Sequence, residues 1–253
     1  MNAPSKARPR RSSHSWDGVA DWYTGWNGKT GSRHHRQLAI PLALDLLGLS
    51  PGEHLVDLGC GHGVMAAPTA KAGARYTGVD LSPRLIATAR RDQPRGTFHV
   101  ADVTRLKTLP AFRSAACDAA LFLLSIQDID PLAEAIATAS WLLRPGGRLV
   151  LVMLHPCFRV PRQSGWGWDE KRQLRYRRLD SYLSPLAVPM QPYPGGTTRS
   201  YHRPLNAYVG ALSAAGLTVN AMPEITGLRS AGSRADRRAT NEFPLLLGIR
   251  AVK

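Results

Sequence analysis

The chain has 253 residues, a hydrophobic fraction of 43% and a formal net charge of +15. These values suit one compact α/β domain with a buried core, and no apolar run reaches the roughly 20 residues that a membrane helix needs. Residues 1–15 lack the apolar stretch of a signal peptide; their basic composition predicts a disordered tail, with a transit peptide as the alternative. Three widely spaced cysteines, Cys60, Cys117 and Cys157, indicate reduced thiols in a cytoplasmic protein and no metal site.

Basic residues are concentrated in three parts of the chain. They lie in the tail, between residues 159 and 178, and between residues 229 and 238. Such clusters can bind RNA phosphates or attract an anionic small substrate, and they can equally be solvated surface charge. The sequence leaves these alternatives open.

Aromatic side chains open the part of the chain that is expected to fold: Trp16, Trp22, Tyr23 and Trp26, with glycines between and after them. We call residues 16–32 the N-terminal segment and interpret it as a lid over a cofactor and an aromatic substrate. Leucines then recur at helical spacing through residues 33–49, which predicts a largely buried helix that ends before Pro51.

Short apolar runs next alternate with helical patterns, as in a series of βαβ units. Strands are predicted at residues 54–58, 75–79, 97–101, 118–124 and 148–154, and helices at residues 64–72, 82–92 and 131–143. This alternation predicts a doubly wound parallel sheet. A later helix over residues 204–215 and two final strands, 217–221 and 244–252, complete the predicted domain.

Residues 156–201, which we call the insertion, interrupt this pattern. They contain six prolines and six tryptophans or tyrosines, and they show no periodic core. Loops of this length are usually functional or disordered, and the aromatic side chains argue against disorder. We therefore expect a single domain over residues 16–253 whose insertion caps the substrate. A mobile segment is expected at residues 227–240, which are rich in Gly, Ser and Arg.

A glycine-rich stretch between the first strand and its helix carries the strongest chemical signal. Residues 56–63 read Val-Asp-Leu-Gly-Cys-Gly-His-Gly, with a carboxylate before three alternate glycines. The glycines permit a sharp turn and the close approach of a ligand. The spacing differs from the G-x-G-x-x-G of dinucleotide binders. The carboxylate of Asp57 would repel a pyrophosphate, but it would hold a cationic amino-acid ligand.

Three further motifs follow in order, at residues 78–82 (Gly-Val-Asp-Leu-Ser), 100–103 (Val-Ala-Asp-Val) and 143–149 (Leu-Arg-Pro-Gly-Gly-Arg-Leu). With these motifs in place, the sequence resembles the class I S-adenosylmethionine-dependent methyltransferases of the small-molecule type. The resemblance covers about residues 33–154 and resumes more weakly at Pro204. It implies a Rossmann-like, doubly wound α/β fold whose seven-stranded sheet is mostly parallel with one antiparallel strand. It also implies S-adenosylmethionine as the cofactor.

The resemblance further implies roles for single residues. Asp57 would hold the ammonium of the cofactor, Asp80 its ribose hydroxyls and Asp102 its adenine amino group. The full set of implied cofactor-binding residues is Asp57, Gly59, Cys60, Gly61, Gly63, Asp80, Leu81, Asp102, Val103 and Ser125.

Three side chains are candidates for the base that removes a proton from the acceptor. Ligands of open α/β sheets bind beyond the carboxyl ends of the strands. His155 follows the fifth strand there and is the leading candidate, because an unperturbed histidine pKa is about 6.5. His202, before the next helix, and Asp128, after the fourth strand, are the other two.

The acceptor is expected to be a small aromatic or lipophilic metabolite. Trp16, Tyr23, Trp166 and Tyr201 could form the walls around it, and Arg203 could orient an anionic group. The sequence after the fourth strand is not the Asn/Asp-Pro-Pro-Tyr of amine methyltransferases, and no cysteine pair suits RNA C5 methylation. The alternatives are an RNA methyltransferase that binds phosphates through its basic segments, and a non-catalytic cofactor-binding protein.

Overall fold

The computed structural model of the protein describes residues 16–190, 193–228 and 232–253; the predicted tail, Pro192 and Arg229 lie outside these residues. The α-helices are α1 (Ala20–Asn27), α2 (Ile40–Leu47), α3 (Ala66–Lys71), α4 (Pro83–Asp92), α5 (Leu132–Leu142), α6 (Leu205–Ala214) and α7 (Arg234–Glu242). The strands are β1 (His54–Leu58), β2 (Arg75–Asp80), β3 (Thr97–Val100), β4 (Cys117–Leu123), β5 (Leu143–Leu154), β6 (Ser164–Asp169), β7 (Leu174–Leu179), β8 (Leu186–Pro189), β9 (Arg199–His202), β10 (Thr218–Ala221), β11 (Glu224–Thr226) and β12 (Pro244–Val252).

The main sheet has the strand order β10-β12-β5-β4-β1-β2-β3, and β11 pairs with β12 outside this path. Strands β1 to β5 pair in parallel. β12 runs antiparallel to β5, β10 and β11. The prediction of a mostly parallel sheet with one antiparallel strand is confirmed, and β11 is a short additional strand that the sequence did not predict.

The sheet separates two hydrophobic cores. Successive side chains of a strand point to opposite faces, so Phe122 of β4 joins one core and Leu121 the other. Ile136 of α5 and Tyr208 of α6 cover the first face, whereas Ile86 of α4 belongs to the second. Helices on both faces of a parallel sheet leave its carboxyl edge open for ligands.

The insertion contains regular structure, in contrast to the expected loop. It forms two antiparallel hairpins, β6–β7 and β8–β9. In the first hairpin the ring of Tyr176 lies across Gly167, where a Cβ would collide with it. An aromatic ring that covers a glycine in this way stabilises the cross-strand pair. Sequence periodicity missed the hairpin because glycine interrupts the apolar alternation.

The segment expected to be mobile at residues 227–240 instead contains most of α7. Ser233 and Asp236 form a capping box: Oγ of Ser233 accepts a hydrogen bond from the Asp236 N–H at 3.1 Å, and Oδ2 of Asp236 accepts one from the Ser233 N–H at 3.0 Å. Arg175 of β7 forms an ion pair with Asp236 at 2.9 Å. These contacts order a helix that composition alone did not indicate.

The N-terminal segment and the insertion touch each other. Trp22 of α1 stacks on Tyr193 with ring centroids 3.9 Å apart, and a Cβ at Gly195 would collide with the carbonyl oxygen of Gly18. The segment is also fixed to the sheet edge, because Oδ1 of Asp17 accepts a hydrogen bond from the Ser82 hydroxyl at 2.8 Å. Among the described residues, no helix is both long enough and apolar enough to cross a bilayer.

Candidate active site

A cavity of about 760 Å³ opens at the carboxyl ends of β1, β2 and β4. This is the edge at which open α/β sheets bind ligands. Predicted site residues that line it are Gly59, Gly61, Asp80, Leu81, Asp102, Val103, Ser125, Asp128, Trp16, Tyr23 and Tyr201. Separate parts of the chain therefore converge on one space.

The glycine turn after β1 brings the backbone against this cavity. Gly59 and Gly61 have φ angles of +75° and +55°, which favour glycine. A Cβ at Gly59 would lie 2.6 Å from the Cβ of Ser125. The N–H of Gly61 donates to Oδ2 of Asp80 at 2.8 Å and so ties the turn to β2. A side chain at Gly59 would therefore collide with Ser125 in the wall of the cavity.

Asp80 and Asp102 present carboxylates from the ends of two neighbouring strands. Oδ1 of Asp80 accepts from the Ser82 N–H at 2.9 Å, and burial raises the pKa of this carboxyl group. Oδ1 of Asp102 accepts from the N–H and the hydroxyl of Thr104, at 2.9 and 2.7 Å. Each carboxylate is held by backbone donors and can still accept hydrogen bonds from hydroxyl or amino groups of a ligand.

Asp57 is the clearest sign that a cation belongs at the end of β1. Its side chain is buried, and Oδ2 accepts a hydrogen bond from the Tyr76 hydroxyl at 2.7 Å, whereas Oδ1 has no partner. Burial raises the pKa of this carboxyl group to about 7. Asp57, Gly59 and Cys60 line a small cavity beside the main one. A buried oxygen without a partner beside a polar cavity fits the ammonium of an amino-acid ligand.

Gly63 lies outside both cavities. It has a φ angle of +79°, and a Cβ there would lie 2.7 Å from the ring of Phe98. This glycine therefore allows the turn to pack on β3. Trp166 also lies away from the cavity, since its ring packs on Phe243 with centroids 5.5 Å apart.

Two of the three candidate bases are engaged elsewhere. His155 is buried; its Nε2 lies 2.6 Å from Oε1 of Glu224, and its Nδ1 accepts from the Cys157 N–H at 3.2 Å. Nε2 of His202 lies 2.6 Å from the carbonyl oxygen of Tyr182. Neither histidine lines the cavity, so the geometry does not favour either as the base.

Asp128 is the candidate base that faces the cavity. It lies in the 3-10 turn that follows β4, where burial raises the pKa of its carboxyl group to about 7, while a hydrogen bond from Ser200 opposes that rise. Arg203 lies behind this turn and does not line the cavity. It donates to the Ile129 carbonyl at 2.7 Å and to Oδ1 of Asp130 at 2.9 Å. Arg203 therefore supports the turn, whereas the sequence suggested contact with the substrate.

The sequence interpretation missed two histidines that line the cavity, His34 and His35. A π-helical turn, His35–Ala39, precedes α2 and directs His35 inward. Nδ1 of His35 lies 2.9 Å from Oγ of Ser32, and burial lowers the pKa of His35 to about 4. π-Helical turns are frequent at functional sites, but they leave no clear pattern in a sequence. The adjacent histidines within a leucine-rich helix were the available signal.

The charge of the cavity contrasts with the charge of the chain. The chain has 33 lysines and arginines, yet none of the described residues that line the cavity is a lysine or an arginine. Much of the lining is apolar, including Leu124, Leu154, Leu245 and Leu246. The apolar part of the cavity wall therefore suits an uncharged group better than a phosphate or a carboxylate.

Comparison with known proteins identifies the domain. Residues 56–151 match the family model for a methyltransferase domain. The structure of an S-adenosylmethionine-dependent methyltransferase from Mesorhizobium loti superposes with a TM-score of 0.66 at 26% identity, over 84% of this chain and 96% of that one. The chain carries a class I S-adenosylmethionine-dependent methyltransferase domain. The cofactor of this methyltransferase domain is S-adenosylmethionine, and the residues around Asp57 and Asp80 fit it.

Two relatives share the methyltransferase domain at higher identity. The demethylmenaquinone methyltransferase of Beutenbergia cavernae is 31% identical over 144 residues, 57% of this chain and 55% of that protein. The ubiquinone biosynthesis O-methyltransferase of Xanthomonas campestris is 34% identical over 135 residues, 51% of this chain and 56% of that protein. The chain thus spans little more than half the length of these curated relatives.

A third comparison concerns the fold alone. The structure of 1,6-didemethyltoxoflavin-N1-methyltransferase from Burkholderia thailandensis, with S-adenosylhomocysteine bound, aligns over 100% of this chain and 93% of that one. The TM-score is 0.55 and the identity is 19%.

Proposed function

We propose that this protein transfers the methyl group of S-adenosylmethionine to a small, uncharged aromatic or lipophilic metabolite. The observation that carries the proposal is the composition of the cavity wall beside the cofactor residues. Leucines and aromatic rings line it, and none of the described lining residues is a lysine or an arginine. A phosphorylated or carboxylated acceptor would enter this space without a partner for its charge.

Each of the proposed cofactor-binding residues would bind a different part of S-adenosylmethionine. S-adenosylmethionine, when bound, supplies a methyl group activated by a positively charged sulfur. Asp57 would accept from the ammonium, Asp80 from the ribose hydroxyls and Asp102 from the adenine amino group. Gly59 and Gly61 line the cavity and would let the ligand approach their backbone. These roles are those expected from the sequence motifs.

Asp128 is our candidate for the base. Its carboxyl group faces the cavity, and a pKa of about 7 leaves it partly ionised at neutral pH. A base with a pKa close to the working pH is well suited to accept the proton of a hydroxyl or amino group while the methyl group is transferred. Tyr201 lies beside it in the cavity wall and can position an aromatic ring.

We further propose that residues 16–253 act as one unit, with the N-terminal segment as a lid and the insertion as the cap of the substrate. The stacking of Trp22 on Tyr193 supports this arrangement, because it joins the N-terminal segment to the insertion. The three free cysteines agree with a reducing compartment such as the cytoplasm.

The names of the relatives agree with a lipophilic acceptor, since they refer to demethylmenaquinone and to ubiquinone biosynthesis. The alternative acceptor, RNA, is less well supported. RNA binding depends strongly on phosphate contacts by lysine and arginine. Those side chains are absent from the described lining of the cavity, although they are frequent in the insertion.

The experiment is a transfer assay with cofactor labelled in the methyl group. We expect label in an organic-extractable product when the protein is incubated with a metabolite extract or with a panel of phenols and quinols. The Asp80→Asn variant, in which we expect weaker cofactor binding, serves as the matched control. Label found only in RNA would identify RNA as the acceptor in place of a small metabolite. A lack of label in both the organic-extractable product and RNA would contradict methyl transfer.

A further inference from the structure

Two arginines at the base of the β6–β7 hairpin carry charge that no carboxylate neutralises. Arg177 donates from Nε to the carbonyl of Phe158 at 2.7 Å and from Nη2 to Oγ of Ser164 at 2.9 Å, and both acceptors are neutral. Nε of Arg159 is buried without a partner. Within the described ranges, neither guanidinium group forms an ion pair with a carboxylate.

These two cations flank one aromatic ring. The Cζ atoms of Arg159 and Arg177 lie 5.8 and 5.2 Å from the ring centroid of Trp166. Burial lowers the pKa of both arginines, and the repulsion from Arg177 adds to the effect on Arg159. Half-buried like charges at close range are unfavourable unless an anion accompanies them. The geometry is that of an anion site with an aromatic wall.

Apolar side chains share the hairpin face with this pair. The register places Trp166 opposite Arg177 and Trp168 opposite Arg175, so these four side chains project from one face. Alternation along β7 adds Leu179 to the same face. Trp168 and Leu179 are 41% and 42% exposed. Because Arg175 is paired with Asp236, the charge on this face that has no carboxylate partner comes from Arg177, and it lies beside the exposed apolar surface of Trp168 and Leu179.

This combination is concentrated in one part of the chain. Five of the eleven large hydrophobic side chains that are exposed among the described residues lie between residues 166 and 183. Residues 159–183 contain seven basic and three acidic side chains. Exposed apolar groups clustered on a basic surface indicate a site of interaction.

We propose that Arg159 and Arg177 bind the phosphate of an anionic phospholipid, and that this hairpin face docks the protein on a negatively charged membrane surface. Tryptophan suits this position because its ring is apolar and its N–H is polar, which is why it is enriched at membrane interfaces. The exposed aliphatic side chains of Leu179 and Leu183 favour a membrane over a single-stranded nucleic acid, because they can enter the headgroup layer but offer a base no ring on which to stack. The proposal does not depend on the identity of the methyl acceptor.

The experiment is co-sedimentation of the full chain with vesicles of phosphatidylcholine alone or of equal parts phosphatidylcholine and phosphatidylglycerol. We expect binding to the mixed vesicles only, with a decrease as salt is added. The double variant R159Q/R177Q should lower the partition coefficient about 30-fold, since each arginine near an anionic surface contributes about 1 kcal/mol, or about fivefold.

The matched control removes two charges from elsewhere: R113Q/R178Q changes one exposed arginine before β4 and one on the opposite face of the hairpin. It should retain most of the vesicle binding. Trp168→Ala, at an exposed position, provides a second variant that should fold, and it should also weaken binding. Thermal unfolding of each variant separates loss of binding from loss of folding.

Three results would overturn the proposal. One is equal loss of vesicle binding in the two double variants. Another is binding of inorganic phosphate that depends on Arg159 and Arg177 while mixed vesicles do not bind, which would indicate a site for a soluble anion. The third is binding of an RNA oligonucleotide without binding of vesicles. Because the readout is partitioning, its failure leaves the proposed methyl transfer untouched.

Discussion

The hydroxyl of Tyr76 donates a hydrogen bond to Oδ2 of Asp57 at 2.7 Å, and Oδ1 of the same carboxyl group has no partner. One oxygen is therefore fixed by the protein, and the other is left for a ligand. Burial raises the pKa of Asp57 to about 7, so a large fraction of this carboxyl group is protonated near neutral pH when no ligand is bound. An ammonium group would favour the ionised form.

The affinity for S-adenosylmethionine should therefore increase with pH up to about 7 and then level off, until the ammonium group of the ligand loses its own proton at higher pH. Below the pKa of Asp57, the rise should approach tenfold per pH unit, because binding of the ammonium requires loss of one proton. Calorimetric titration at a series of pH values measures this slope. Asp57→Asn should bind more weakly and show a smaller slope, and an unchanged slope would place the ammonium elsewhere.

The stability of the ligand-free protein should have the opposite pH dependence. A carboxyl pKa raised by folding means that the folded state binds its proton more tightly than the unfolded chain does. The free energy of unfolding should thus fall as pH rises from about 3.9, the usual aspartate value, toward about 7. Asp57→Asn should reduce this fall in chemical denaturation curves, with Asp128 accounting for part of the remainder. A dependence identical to that of the unmodified protein would contradict the assignment.

Asp80→Asn should weaken cofactor binding by one to two orders of magnitude, since a hydrogen bond to a charged group contributes about 1.5–3 kcal/mol. The amide keeps the size of the side chain but loses the charge and one acceptor oxygen. Calorimetry with S-adenosylhomocysteine measures the loss. Asp45→Asn, at an exposed position of α2, is the control with the same chemical change. Equal affinity in both variants would show that the ribose does not lie at β2.

Asp128→Asn should lower kcat by about 10²–10⁴-fold, the usual contribution of a general base, and should leave cofactor affinity unchanged. The unmodified enzyme should gain activity as pH rises through about 7, because only the ionised carboxylate accepts a proton. Single-turnover rates across this range test both statements. A variant that retains full turnover would remove Asp128 from the chemistry and direct attention to His34 and His35.

His155→Gln should lower the free energy of unfolding and leave kcat unchanged. The ring of His155 joins the end of β5 to β11 through Glu224, and its loss should cost about 1–3 kcal/mol of unfolding free energy. Activity per folded molecule should stay the same, because the ring does not line the cavity. A kcat that falls while the melting temperature is retained would restore His155 as the base.

The cofactor half of the site could be predicted from the sequence because its groups are fixed by short-range geometry. Asp57 and Asp80 end buried strands, and a carboxylate at the end of a parallel strand must face the ligand edge. Gly59 belongs to the turn that follows. Gly63 was predicted to bind the ligand, but it lines neither cavity, and the lack of a Cβ there lets the turn pack on Phe98.

The acceptor half could not be predicted in the same way, because its residues come from segments without a fixed register. His155 follows β5 as expected, yet its direction depends on Glu224, which lies on a short strand far along the chain. His35 depends on a π-helical turn that periodicity does not reveal. Trp166 looked like a cavity wall, but the hairpin that carries it turns toward Phe243.

Helix α1 contacts two separate parts of the chain, the glycine turn after β1 and the insertion. Tyr23 lies beside Gly61 of the glycine turn, and Trp22 stacks on Tyr193 of the insertion. If the N-terminal segment is the lid that we propose, a movement of α1 away from Gly61 would either separate Trp22 from Tyr193 or carry the insertion with it. Release of S-adenosylhomocysteine and release of the methylated product would then be coupled through this one helix.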